Sequence, residues 1–226
     1  MPEKLLFFVY RRPELSRAEF CRRYLEEHAP LVLRHCPNLR RYVLNIVEDP
    51  EEKSPDAFDA AVELWYGSVE DWDDQSRRYG SPDGRAAVEQ SRAALIRSSV
   101  GYQVKPTTHR EYDRTWRKGE RSPGYKTVVP LMRKDGLSHE QFVDHWLHTH
   151  APLALQHVLG IGRYVTNVVL APLTPDAPEV DGIVEVHYTG ERRFDSPEGQ
   201  AIMMEDVGKF LSPPSRNRAG EYVLRS

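Results

Sequence analysis

The chain is poor in cysteine: Cys21 and Cys36 are its only two among 226 residues, and both fall in one predicted helical stretch. A disulfide framework of the secreted kind is not indicated, and both are read as reduced thiols. Long apolar runs are missing too, since no window approaches eighteen uninterrupted apolar residues. The first residues, Met1-Pro2-Glu3-Lys4-Leu5, pass almost directly into a strand-like run without a basic region and an apolar h-region. We therefore expect no membrane association and a cytoplasmic location. Charge of one sign is absent: 31 Lys and Arg stand against 34 Asp and Glu, a net of -3, which gives no field suited to a phosphate backbone and speaks against nucleic acid as a partner. Nor is there a glycine-rich phosphate loop after a strand. Gly160-Ile161-Gly162 precedes a strand and reads as a turn, so no nucleotide cofactor is implied.

What is present is an ordinary globular composition, 39% hydrophobic and 29% charged, long enough for two small domains or one larger one. A search for self-similarity separates these. Glu27-His28-Ala29-Pro30-Leu31 returns as Thr149-His150-Ala151-Pro152-Leu153. The same shift of 122 relates Lys4 to Lys126, Ser16 to Ser138, Phe20 to Phe142 and His35 to His157. It also relates Tyr42 to Tyr164, Asn45 to Asn167 and Glu63 to Glu185. Further on, Ser81-Pro82-Asp83-Gly84 matches Ser196-Pro197-Glu198-Gly199 at a shift of 115, so the second copy lacks seven residues in the loop before its second helix.

Each copy reads as strand, helix, strand, strand, helix, strand. In the first copy the strands are Lys4 to Tyr10, Tyr42 to Glu48, Ala61 to Tyr66 and Val100 to Lys105. In the second they are Tyr125 to Arg133, Tyr164 to Leu170, Ile183 to Thr189 and Gly220 to Arg225. A charged, proline-containing loop is expected over Asp49 to Asp56. Ser16 with Glu19 and Ser138 with Gln141 form capping boxes that start the first helices. Pro30 and Pro152 should break those helices after His28 and His150 and restart them at a first-turn position. The second helices run from about Asp83 to Arg97 and from Glu198 to Leu211. The copies occupy residues 1–106 and 125–226. Residues 107–124, rich in interspersed charge, read as a solvated linker.

A βαββαβ unit places both helices on one face of a four-stranded antiparallel sheet and leaves the other bare. The simplest remedy is to pack the two sheets face to face, forming an α+β, pseudo-symmetric barrel from two ferredoxin-like repeats. A small-molecule cavity would then lie in each repeat between the first helix and its sheet.

The residues Leu15-Ser16, Phe20, Tyr24, His28-Ala29-Pro30-Leu31 and Arg41-Tyr42-x-x-Asn45 resemble the EthD family of the dimeric α+β barrel superfamily. Leu137-Ser138, Phe142, Trp146, His150-Ala151-Pro152-Leu153 and Arg163-Tyr164-x-x-Asn167 resemble a second EthD domain. The resemblance implies a dimer fused into one polypeptide, either monomeric or paired again as a homodimer. It also implies kinship with polyketide cyclases, dehydratases, isomerases, heme-degrading monooxygenases and accessory proteins of ether degradation. Its catalytic members often use a histidine in an apolar pocket without a cofactor.

His28 and His150 are the leading candidates for general acid or base, because an imidazole in a partly apolar site is tuned near neutrality. The alternative is a core histidine bonded to backbone freed by the proline. Tyr42 and Tyr164 would polarise a substrate oxygen, or pack with the hydroxyl at the rim. Asn45 and Asn167, three residues on, fall on the opposite sheet face and read as structural. Phe20, Phe142, Tyr24, Trp146, His35 and His157 would line the pockets, together with Trp65 and its counterpart His187. In this asymmetry His187 would give the second pocket an extra acid or base, or else point to the barrel interior or to solvent. His145, His148 and His150 do not share one face of an ideal helix, so no metal site is expected.

These residues lead to a cofactor-independent enzyme acting by proton transfer on a hydrophobic carbonyl compound of aromatic or polyketide type, in a cyclisation, dehydration or isomerisation. Two other readings stay open: a non-catalytic binding or accessory protein serving a partner oxygenase, and heme-dependent oxidation with a histidine as axial ligand.

Overall fold

A computed structural model of the chain describes residues 3–49, 57–212 and 218–226. The loop expected over Asp49 to Asp56 therefore lies, from residue 50 on, outside the described residues. The first repeat comprises β1 (Glu3–Arg11), α1 (Arg17–Arg23), a π-helical turn (Tyr24–His28), α2 (Ala29–His35), β2 (Arg41–Asp49) and β3 (Ala60–Tyr66). Two short helices follow, α3 (Glu70–Asp73) and α4 (Gln75–Arg78), then α5 (Pro82–Leu95) and β4 (Ile96–Arg110). The second repeat has β5 (Tyr125–Leu131), α6 (His139–His145), a second π turn (Trp146–His150) and α7 (Ala151–His157). It ends with β6 (Val158–Pro172), β7 (Gly182–Phe194), α8 (Pro197–Phe210) and β8 (Arg218–Arg225).

The strands close an antiparallel barrel in the order β1-β3-β2-β8-β5-β7-β6-β4. Each repeat supplies four neighbouring strands. The seams are made by β2 on β8, from Tyr42↔Arg225 to Asp49↔Arg218, and by β4 on β6, from Tyr102↔Pro172 to Arg110↔Tyr164. The helices pack outside. Alternation along each strand thus creates a barrel interior and two helix-side cores. Leu6, Phe8, Ala61, Val104, Val128 and Ile183 face inward, whereas Leu5, Phe7, Tyr42, Leu64 and Tyr66 face the first repeat's helices.

The inward face also buries charge from both repeats. Lys4 pairs with Glu63 at 2.9 Å and with Glu185, and Lys126 lies 2.6 Å from each of these two carboxylates. Glu221 adds a third partner to Lys126 at 2.9 Å. Burial alone would lower the Lys126 ammonium, but Glu185, Glu221 and Glu63 hold it above its ordinary pKa. Burial opposes ionisation of Glu63 too, and Lys126 and Lys4 keep it well below the usual carboxylate range. Asn45 and Asn167, on the face opposite Tyr42 and Tyr164 as expected, donate to Glu63 at 2.9 Å and Glu185 at 2.8 Å. A buried network of this kind adds little net stability over apolar packing, but removing one partner is costly because it strands the others.

Three expectations need correction. The helices do not break at the prolines. Ala29 and Ala151 keep helical angles, and each turn widens so that their N–H groups bond Tyr24 and Trp146 five residues back; this wider turn accommodates the missing N–H of Pro30 and Pro152. The capping box closes reciprocally only in α6; at α1 the Ser16 hydroxyl accepts from the Glu19 N–H at 3.1 Å, while the Glu19 carboxylate lies 4.0 Å from Arg23. Finally, β4 continues to Arg110, and the segment after it is not simply solvated. Ser122 is buried and bonds Glu221 at 3.0 Å, and the Tyr112 hydroxyl lies 3.3 Å from His187 Nδ1. The segment covers the barrel end around His187.

Candidate active site

In the second repeat a cavity of about 280 Å³ opens between helices and sheet. Its sheet wall is Thr127, Val129 and Leu131 of β5, Ile161 and Tyr164 of β6, and Val184, Val186 and Tyr188 of β7. Trp146, His150, Ala154, Met203 and Val207 form the helical wall, and Arg192, Phe194 and the exposed Met204 complete it. The wall is apolar apart from a few groups, among them His150, Tyr164 and Arg192.

The π turn decides where His150 points. A turn closed by i→i+5 bonds brings residues five apart to one side, so His145 and His150 both reach Asp206 of α8. Asp206 Oδ1 is 2.8 Å from His145 Nε2, and Oδ2 is 2.7 Å from His150 Nδ1. A buried carboxylate accepting from both rings fixes the His150 proton on Nδ1 and leaves Nε2 for a ligand. Burial lowers the His150 pKa and Asp206 partly opposes the shift, so the ring is neutral at pH 7. On an ideal helix residues five apart point well away from each other; the π turn is what brings these two together.

Tyr164 is buried, and burial raises its phenol pKa. The Trp146 indole beside it partly opposes that rise. Indole N–H is a donor only, so it cannot take the Tyr164 proton, which stays available to a ligand. Gly182 makes room for the indole, since a Cβ there would lie 2.3 Å from Trp146 Cζ3. His109 of β4 flanks the tyrosine, its ring 5.4 Å away and its Nε2 3.0 Å from Thr166 Oγ1.

The first repeat uses the same positions differently. His28 is buried, and burial lowers its pKa to about 4; its Nδ1 meets Ser91 Oγ at 3.2 Å, Ser91 standing where the second repeat has Asp206. Tyr42 and Tyr24 are bonded to each other through their hydroxyls at 3.2 Å. Larger side chains stand between helix and sheet. Phe7 replaces Val129, Leu5 replaces Thr127, and Trp72 packs on Phe7 at 4.9 Å and Tyr66 at 5.8 Å. Trp72 comes from the longer loop of this repeat. Against the expectation of one cavity per repeat, the described residues place His28, Tyr24 and Tyr42 in a packed core.

The other expected lining residues divide. Phe142 and Phe20 stand behind the aromatic walls, Phe142 against Trp146 at 5.4 Å and Phe20 against Tyr24 at 5.5 Å. His157 and His35 are not at the cavity. They press on the N-termini of α8 and α5, where a Cβ on Gly199 or Gly84 would fall 2.7 Å or 2.6 Å from their Nδ1 atoms, and His157 also meets Asp195 at 3.0 Å. His187 and Trp65 lie on the inward face of their strands. His187 meets the Pro123 carbonyl at 2.6 Å, and Trp65 lies under Lys4 and Arg41, each 4.8 Å from its ring.

Sequence reasoning missed Asp206. The shift of 115 pairs it with Ser91, and an acid at the buried turn of an amphipathic helix was the available signal. Among the described residues, no group of three or more His, Cys, Asp and Glu is placed to hold a metal ion. No helix among them is long and apolar enough to cross a membrane. The cavity lies at the lower edge of the roughly 300–1,000 Å³ typical of ligand sites, too small for a heme macrocycle.

The sequence matches the EthD domain twice, over 12–96 and 134–214. No curated protein sequence matches it significantly. Among solved structures it is similar to an anthrone oxidase-like protein, with TM-score 0.61, 13% identity, and 100% of this chain and 94% of that one covered. A provisionally named monooxygenase from Lactobacillus acidophilus gives TM-score 0.54 at 10% identity, with 99% and 97% covered. A provisionally named chlorite dismutase gives 0.52 at 10% identity, with 99% and 95% covered. At these identities the likeness is one of fold.

Proposed function

Because this chain belongs to the EthD family and carries that domain twice, we propose that its second repeat is a cofactor-independent active site for proton transfer on a hydrophobic, aromatic or polyketide-like carbonyl compound. The observation that carries this reading is the 2.7 Å contact between Asp206 and His150 Nδ1. It orients a neutral imidazole whose Nε2 takes a proton from the carbon beside a carbonyl. The Tyr164 hydroxyl donates to the carbonyl oxygen as negative charge gathers there. The imidazolium then returns the proton to another carbon in an isomerisation, or to a departing hydroxyl in a dehydration. In a cyclisation the enolate carbon first attacks a second carbonyl of the same molecule, and the proton goes to the new alkoxide. The apolar walls exclude water and hold planar rings; one structural neighbour is named for an anthrone, a compound of that shape.

The test is α-carbon deuterium exchange in D₂O, read by mass spectrometry on a set of aromatic ketones including 1-tetralone and anthrone. Wild-type protein should exchange at least one of them well above buffer. His150→Ala should lose about 10²-fold or more, and His28→Ala should keep the rate. Exchange that survives His150→Ala, or none above buffer across the set, would overturn the reading. Saturable binding without exchange would instead support a carrier or accessory role.

A further inference from the structure

The connection from third strand to second helix is where the two repeats differ most. In the first repeat it forms α3 and α4 and places Trp72 against the sheet. In the second repeat β7 stays extended as far as Phe194 and keeps pairing with the start of β6, Leu159 facing Arg193 and Val158 facing Phe194. Ile161 faces Tyr188, so where β6 passes Gly160 alone, β7 inserts Thr189, Gly190, Glu191 and Arg192. Gly160 fits this bulge with φ of +86° and a Glu191 carbonyl 2.7 Å from where a Cβ would be; other residues would be strained there.

The bulge turns Arg192 onto the cavity. Its guanidinium lies 5.0 Å from the Phe194 ring, and the side chain is half-buried. Among the described residues no acid is paired with it. Arg192 is the permanently charged side chain in the cavity wall, His150 being neutral at pH 7. The register places it at one end. Trp146 abuts Gly182 at the other, and Tyr164, opposite Val186, lies between. A guanidinium stacked on an aromatic ring in an apolar wall is well placed to receive a carboxylate or phenolate in bidentate fashion.

We propose that the ligand of the second-repeat cavity is a hydrophobic anion, an aromatic or polyketide-like molecule whose carboxylate or phenolate is anchored by Arg192 while its carbonyl-bearing body lies beside His150 and Tyr164. This inference rests on the reading of that cavity as the working site and adds the charge its ligand must carry. It also gives the loop difference a role: the connection that plugs the first repeat supplies the anchor in the second.

The test compares 2-naphthoate with its methyl ester by calorimetric titration at pH 8, on wild type, Arg192→Gln and Arg192→Lys. Wild type should bind the anion at least tenfold more tightly than the ester. Arg192→Gln should bring the two within about twofold of each other while leaving ester affinity within about twofold of wild type, and Arg192→Lys should keep part of the preference. Equal affinities in wild type, or a preference that survives Arg192→Gln, would overturn the anchor and leave the proton-transfer reading standing wherever ketone exchange still depends on His150. If neither probe binds and no ketone exchanges, both fall together.

Discussion

Oδ2 of Asp206 stands 2.7 Å from Nδ1 of His150, where the first repeat has Ser91 Oγ 3.2 Å from His28. The pair makes a definite prediction for Asp206→Asn. An amide can accept from one imidazole but must present its NH₂ to the other, so it no longer holds both His145 and His150 in one tautomer. Turnover should fall about 10²-fold or more with substrate affinity changed only a few-fold. The wild-type rate should decline toward acid with an apparent pKa below the ordinary 6.5, because His150 must be neutral to act as base. Asp206 raises that pKa, so its removal should move the acid limb to lower pH. A limb that moves upward would contradict the assignment.

Trp146 and Gly182 form a second testable pair, matched in the first repeat by Tyr24 and Ala60. Gly182→Ala drives a methyl group into the indole and should cost about 1–3 kcal/mol. In a Trp146→Tyr background the same substitution should cost much less, giving a coupling energy of similar size in a double-mutant cycle by urea denaturation. Trp146→Tyr alone should also lower turnover, since a tyrosine hydroxyl can capture the proton that Tyr164 offers. Additive stabilities would show that the two side chains do not meet.

His28 predicts a pH dependence of stability that has nothing to do with turnover. Its pKa is about 4 in the folded protein against 6.5 for the free side chain. The unfolded chain therefore binds more protons between these values, and stability rises with pH there. The contribution is complete above pH 6.5 and disappears as pH falls toward 4, an effect on the order of 3 kcal/mol. His28→Gln should flatten the curve over that window. A difference curve that is flat, or of opposite slope, would show that His28 is not buried neutral.

Removal of Lys126 tests the barrel interior. Lys126→Met leaves Glu63, Glu185 and Glu221 with Lys4 as the remaining ammonium of the network, and should destabilise the chain by about 3–5 kcal/mol. Because Lys126 bridges carboxylates from both repeats, chemical denaturation should remain a single transition in wild type. Two separated transitions in wild type would count against the interlocked barrel.

The fold was legible because the duplication is written in many residues at once, and period-two alternation separates Tyr42 from Asn45 and Tyr164 from Asn167 without help from tertiary contacts. His150, Tyr164 and Trp146 were legible for the same reason. Asp206 was not, because a lone acid on a helix ordinarily faces water, and only the packing of α8 against the π turn buries it. The π turn itself has no sequence signature beyond the proline that calls for it. His35 and His157 were misplaced because helical spacing gives a face and not a depth; both lie too near the helix end to reach the cavity. Trp72 and Arg192 lie in connections, where neither periodicity nor the shift between copies gives a register.

The seams of β2 on β8 and β4 on β6 carry one further consequence. A symmetric homodimer encoded by one repeat must accept every substitution in both of its halves, so a change that helps one site and harms the other is never free. With the halves joined in one chain, Ser91 and Asp206, Ala60 and Gly182, and the two connections can diverge separately. The barrel still needs all eight strands, so the half whose helix side is packed with larger side chains cannot be lost. It persists as scaffold, its helix-side positions free to answer to packing, while the proposed site would place the constraints of chemistry on the other half.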